Sequence, residues 1–330
     1  MSIPDASPAT HPPAHRHWYR LALVATVVLV MVVLALLPIA VRSMQEVLGR
    51  GADPLFDLLT GDVVSTADVD VAETGATYVN LGLVDLAPDT GLVTIAVSGN
   101  RSCDTACPTL TLTFAALDDD ADQRRGLPPS ATLTLGPTDR LFSQAVQLPV
   151  RGQPSLYPFD QYHLWLGVGG TITMPDGTSS TIDPGTLVQH SAVATLQNRI
   201  PDMLMTAPVS IPPEQVRTRS DPFPFLAVQE LTLEQPAYLK VLAVVLVLLI
   251  AISATLALFT RGIDELALGF GGIILGVWGV RSVLMPHSIG TVTAIDLALS
   301  WLILLLLLGL ALRAAVHFLH RSELPLSRRR

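Results

Sequence analysis

Few residues in this 330-residue chain stand in patterns that could do chemistry. Its only two cysteines, Cys103 and Cys107, fall in "SCDTACP". Three intervening residues allow a local disulfide in a bent loop, which an oxidising compartment permits. They equally allow free thiols or a two-sulfur metal or redox site. "LDDDAD" supplies Asp118, Asp119, Asp120 and Asp122. A calcium loop also needs a glycine at its sharp turn and a closing bidentate Glu. Arg124 and Arg125 follow instead, so the run reads as a solvated turn. His11, His15 and His17 in "HPPAHRH" have metal-binding chemistry but sit in a tail-like segment. Asn100-Arg101-Ser102 spells a glycosylation acceptor, a three-residue pattern common by chance. No G-x-S-x-G, H-E-x-x-H or P-loop is present. A non-enzyme with no cofactor and no metal centre is the expectation.

"YPFD", Tyr157 to Asp160, followed by Tyr162, has a different character. A Tyr-Pro bond suits a tight turn, in either isomer. Phe159 is expected to enter a core, and Asp160 to cap the turn or pair with an arginine. Tyr162 and Trp165 then begin a strand. The plain reading is a corner where a loop re-enters a β domain.

The elements that must position these residues divide sharply in polarity. Half the chain is hydrophobic and the mean hydropathy is +0.49, with the excess gathered in four runs. They cover residues 21–41, 239–259, 266–284 and 295–312. At about 1.5 Å per residue, a run of about 20 apolar residues crosses the hydrocarbon core as a helix. The first run is longer than the apolar core of a cleaved signal and reads as an uncleaved anchor. Arg16 and Arg20 precede the first run, Arg261 lies between the second and third, and Arg313, Arg321 and Arg328 to Arg330 follow the fourth. These basic flanks fall on one side of the membrane, with Arg42 and Arg281 outnumbered on the other. The reading is a multi-pass protein of the cell (plasma) membrane. It has cytoplasmic tails at 1–20 and 313–330 and an extracytoplasmic domain at 42–238. Gly269, Gly272, Gly276 and Gly279 recur at helical spacing, a pattern expected to let helices approach closely. Lys240, Arg281 and Asp296 are ionisable groups near span ends.

Residues 43–237 hold 23 acidic and 9 basic side chains, a net of −14. Such a surface repels nucleic acid. Six segments alternate or run apolar at strand length: Thr77–Leu86, Leu92–Ser98, Thr109–Phe114, Ala131–Leu135, Tyr162–Val168 and Ser191–Gln197. Turn residues separate them. Many short strands without helices between them predict an antiparallel β-sandwich. Residues 44–58 are expected to form a short helix. "FLAVQELTLEQPAYLKV" looks like a last strand feeding directly into the second span at Pro236, a stiff junction. The fold class is thus a β-sandwich with a four-helix transmembrane bundle, one helix before the domain and three after.

Three resemblances attach to these motifs. "C-x-x-x-C-P" is similar to the motif of copper chaperones of cytochrome oxidase assembly, whose thioredoxin fold needs a βαβ pattern missing here. The "YPFD" loop resembles an aromatic-Pro-Phe-Asp loop of pentameric ligand-gated channels. Those channels place all four spans after their sandwich and line a pore with the second; no pore-like polar stripe is present in these spans. More specifically, the chain resembles an uncharacterised family of actinobacterial and fungal membrane proteins, defined as a domain of unknown function. Its members have an N-terminal span, an outer β domain with YPFD-x-Y and three closing spans. An Arg, a Pro, a Gly and an Asp lie between the last two spans, and an early Trp follows. The matching residues are Tyr157, Pro158, Phe159, Asp160, Tyr162, Arg281, Pro286, Gly290, Asp296 and Trp301. Members also tend to carry a basic residue just before the second span, where this chain has Glu234.

Arg281 and Asp296 are expected to pair across the last hairpin. Asp160 is expected near that outer loop, where the two would lock the domain to the bundle. The resemblance implies no known activity. The expected role is a binding, scaffolding or envelope-associated module, with the lipid bilayer as partner and a homo-oligomer or an envelope protein as candidates. A sensor or channel-like oligomer and a metal or redox module at the cysteine pair are the alternatives.

Overall fold

The computed structural model describes residues 15–49, 54–64, 77–103, 106–118, 129–185, 192–212, 216, 225–260, 263–284, 290 and 292–323. The chain divides into two compact units. One comprises Met1–Ser43, Val241–Met285 and Ile295–Arg330; the other comprises Met44–Lys240 and Pro286–Ala294.

The second unit is built of strands. They are β1 (Leu55–Asp57), β2 (Tyr78–Ala87), β3 (Leu92–Asn100), β4 (Thr109–Ala116), β5 (Ser130–Leu135), β6 (Leu141–Pro149), β7 (Arg151–Gly152), β8 (Gln161–Thr173), β9 (Ser179–Thr181), β10 (Val193–Asn198), β11 (Leu204–Met205), β12 (Val209–Ser210) and β13 (Ala227–Glu234). One sheet has the order β1-β10-β2-β3-β6. The other has the order β11-β13-β8-β4-β5, with β12 on β13 and both β7 and β9 on β8. Alternation drives the layering: Val93, Ile95 and Val97 of β3 are buried while the residues between them are not, as a period of two requires. These residues, with Leu81, Leu148 and Leu196, meet Phe114, Leu133, Leu164, Leu166, Leu231 and Leu233 of the other sheet in one core.

All six expected strands are present within a few residues of their expected ends. Two expectations change, and a further strand, β6, joins those expected. The sheets are mostly but not wholly antiparallel, because β10 runs parallel to β2. β10 follows β9 of the other sheet, so no hairpin sets its direction. Residues 44–58 are not one helix: the first helix continues to Gly49, and Phe56 and Leu58 enter the core from β1 and the turn after it. β6 carries Ser143, Gln144 and Gln147 and ends at Pro149; it pairs only with β3 at the edge of its sheet, where polar residues and proline are tolerated.

The first unit is helical. Its elements are α1 (His15–Gly49, whose last residues from Met44 lie in the β unit), α2 (Ala237–Thr260, whose first turn lies in the β unit), α3 (Ile263–Leu284) and α4 (Ala294–Glu323, whose first residue lies in the β unit). Two stretches, Ala237–Ala257 and Ala294–Leu319, are long and apolar enough to cross a membrane. Helix therefore extends into both expected tails. It begins at His15 rather than residue 21, with His11 outside the described residues, and it runs past 312 because "RAAVHFLHRSE" holds no helix breaker. Ala254 of α2 packs with Leu302 and Leu306 of α4, with Ile273 of α3 against them. The expected close approach at the glycine face is absent: a Cβ at Gly272, Gly276 or Gly279 would meet nothing within 4 Å. Gly269 is not among the glycines for which that space is described.

Several glycines in the β unit leave no room for a side chain, and Gly152 is the one beside the YPFD segment. A Cβ on Gly152 would run into the ring of Tyr162, its partner across β7 and β8. Gly152→Ala should destabilise the outer unit by about 1–3 kcal/mol, as overpacking does. A thermal melt should show a midpoint lowered by several degrees; an unchanged midpoint would mean that Tyr162 can move aside.

Candidate functional site

The YPFD corner begins as a single 3-10 turn at Pro154–Leu156. The Leu156 N–H donates to the Gln153 carbonyl at 3.0 Å, and the Tyr157 N–H to that of Pro154 at 3.1 Å. The Phe159 N–H donates to the Leu156 carbonyl at 2.8 Å. The Tyr157-Pro158 peptide is cis. Tyr157, Pro158 and Asp160 are buried. Phe159 is 49% exposed, contrary to the expectation that it fills the core. Phe159 stands in the bend before β8; within β8 Tyr162 points inward, and Gln161 and His163 lie on the other face.

Inside the corner lies a polar cluster. Asp160 and Tyr162 are each 1% exposed. The Asp160 Oδ1 and the Tyr162 hydroxyl have no hydrogen bond of ordinary geometry, though each is close enough to shift the other's titration. Burial pushes the Asp160 carboxyl up; Tyr162, Gln235 and the Lys240 charge oppose that rise. Among the described residues no arginine fills the expected pairing role; the cation acting on Asp160 is Lys240. Burial, with Asp160, Asp202 and Tyr238 adding, pushes Tyr157 up to about 12. Burial and then Asp160 raise Tyr162 as well, with Asp89 contributing. The Asp89 carboxylate also accepts the Gly290 N–H at 3.2 Å. Gly290 therefore touches the same turn of the β unit that faces Tyr162. Pro286 lies outside the described residues. In the helical unit Arg281 Nε lies 2.5 Å from Asp296 Oδ1, and its guanidinium carbon lies 6.0 Å from the centroid of Trp278.

The outer face of the same strands carries a row of polar pairs. Register places Gln161 opposite Glu234, His163 opposite Thr232 and Trp165 opposite Glu230. The Gln161 amide donates to Glu234 at 3.5 Å, and His163 Nδ1 lies 3.2 Å from the Thr232 hydroxyl. Lys240 Nζ donates to Glu234 at 2.9 Å. That bond holds the Glu234 carboxyl below its usual range. Arg151 of β7 flanks His163 from the other edge of β8. A cleft of about 490 Å³ opens here. Its lining includes Arg151, Phe159, His163, Trp165 and Glu230. Trp165 also rests on a small cluster of Ile211, Val216 and Val228.

Residues 125–209 match the family described as a domain of unknown function, DUF4436. The match covers the whole YPFD corner and most of the cleft, though not Glu230, Arg281 or Asp296. A search of curated proteins finds no match.

The cysteine pair lies elsewhere. Cys103 and Cys107 form a disulfide with their Cα atoms 5.5 Å apart. The Arg101 side chain is buried beside it and donates to the carbonyls of Gly136 at 3.0 Å and of Pro108. The Cys107 N–H donates to the Pro137 carbonyl at 3.2 Å. These bonds describe a staple between loops. Among the described residues no three His, Cys, Asp or Glu side chains converge on a metal site.

Sequence reasoning singled out the corner but missed Arg151, His163 and Glu230. The alternation Gln161, His163, Trp165 was a usable signal for one wall; its partner on β13 was not legible.

Two outcomes follow. Thiol titration of the denatured, unreduced protein should find no free thiol, and both should appear after reduction. The second concerns pH. Asp160 binds its proton more tightly when folded, so its contribution to stability is full below the ordinary carboxylate range. That contribution is lost as pH rises through its folded pKa. Asp160→Asn should remove that decline, while the opposite contribution of Glu234 is common to both proteins and cancels. Urea unfolding across pH measures the difference; parallel curves would show that the folded site does not disfavour the Asp160 charge.

Proposed function

We propose that the protein is a four-span integral membrane protein of the cell membrane, with α1 to α4 as its spans. Both termini are cytoplasmic and the β-sandwich is outside. It works as a non-enzymatic binding module. The observation that carries this reading is the cleft beside the YPFD corner, where an aromatic wall and convergent polar side chains form a concave site. The apolar lengths of α2 and α4 and the basic flanks support the topology. A disulfide in the β unit suits an oxidising compartment.

Single cysteines in a background of Cys103→Ser and Cys107→Ser test the placement. Thr178→Cys, on the turn between β8 and β9, should react with a membrane-impermeant maleimide in intact cells. Ser327→Cys should react only after permeabilisation. The reverse pattern would invert the topology, and labelling of both in intact cells would remove the four-span arrangement.

A further inference from the structure

We infer that the cleft takes a neutral, polyhydroxylated ligand, an oligosaccharide, bound along the outer face of β8. This rests on the reading of the outer unit as a binding module and names what it binds. Gln161, His163 and Trp165 share one face of β8, so they span roughly 13 Å at about 3.3 Å per residue. That is longer than one sugar ring. The volume of about 490 Å³ falls within the usual range for small-ligand sites, and the cleft is open on one side, as a chain of linked rings needs.

The side-chain chemistry fits the two surfaces of a sugar. Trp165 and Phe159 offer apolar faces for the C–H side of a ring. An indole wall with adjoining polar groups suits a ligand that is apolar on one side and wet on the other. Around them stand planar hydrogen-bonding groups of every kind: the carboxylate of Glu230, the guanidinium of Arg151 and the amides of Gln153 and Gln161. Vicinal hydroxyls both donate and accept, and such groups satisfy them in pairs. His163 is fixed through Nδ1 by Thr232, which leaves Nε2 for a ligand.

Charge narrows the choice. The outer domain's net of −14 repels an anion at long range. Inside the cleft the guanidinium of Arg151 stands with the carboxylates of Asp118 and Glu230, so the lining presents both signs of charge and is built for neither ion alone. An uncharged ligand rich in donors and acceptors can use groups of both signs as hydrogen-bond partners.

The test uses the full-length protein in nanodiscs, free of sugar-headed detergent. Cellobiose, N,N′-diacetylchitobiose and mannobiose are titrated by calorimetry, with inorganic phosphate and tetramethylammonium as charged probes. At least one disaccharide should bind saturably. Glu230→Gln and Arg151→Gln should each weaken it about tenfold, the effect of losing one directed polar contact, with the melting midpoint unchanged. Trp165→Ala should abolish binding; because Trp165 also supports the Ile211 cluster, the two polar variants decide the matter if that variant does not fold. Disaccharide binding indifferent to Glu230 and Arg151 would overturn the assignment of the cleft. Binding of only a charged probe, lost in those variants, would overturn the sugar inference and leave the binding module intact. No binding of any probe would overturn both, while cysteine labelling separately decides the membrane topology.

Discussion

Tyr162 can be buried because Gly152, opposite it, carries no side chain. That one pairing sets the parity of β8, and the rest of the corner follows from it. With Tyr162 inward, Leu164 and Leu166 join the core, and Gln161, His163 and Trp165 take the outer face. A slip of one residue would exchange the two sets and put a tryptophan, a histidine and a glutamine into the core. β8 resists such a slip because it is bonded along both edges, to β13 and β9 on one side and to β7 and β4 on the other. The core and the cleft are thus two readouts of one register.

The same parity buries Asp160, and stability does not account for a carboxylate there. Its charge is disfavoured by burial, and an apolar residue of similar size would avoid that cost. What the carboxylate does is face Tyr162 and act on Tyr157, both of which it helps keep protonated. The three groups are polar atoms in a space enclosed by the corner, the start of β8 and the end of β13. They specify which chain segments can close that space, since a wrong partner would leave more polar atoms unmet.

The legible part of this structure was the part carried by local periodicity. Val93, Ile95 and Val97 announce β3 on their own. The apolar runs announce α2 and α4 in the same way. β6 did not announce itself, because Ser143 and Gln147 are exposed and Gln144 interrupts the apolar face of Phe142, Val146 and Leu148. Hydrophobicity suggests burial for Phe159, but it stands in the bend before β8, where no strand alternation fixes its direction. The cleft was beyond sequence for another reason. Arg151 and Glu230 meet β8 from opposite edges, and cross-strand register over such separations depends on the whole sheet. The parallel pairing of β10 with β2 is hidden for the same cause, since direction is set by the path between sheets.

Lys240 joins these two sides of the corner. It is the only lysine in the chain, and it sits in the first turn of α2, where a helix dipole disfavours a cation. Two carboxylates offset that position. Glu234, on the outer face of β13, accepts its hydrogen bond, and Asp160, on the inner side, feels its charge. Glu234 in turn accepts from Gln161, one residue before Tyr162. The cation therefore ends the outer polar row and also moderates the buried cluster. Only Gln235 and Pro236 separate β13 from α2, and the ion pair bridges these two residues. Losing the ammonium would relieve the repulsion by the dipole, but it would remove the charge that opposes the rise at Asp160 and the hydrogen bond that Glu234 accepts from it. A lysine that is poorly placed for its own helix thus serves the strands before it.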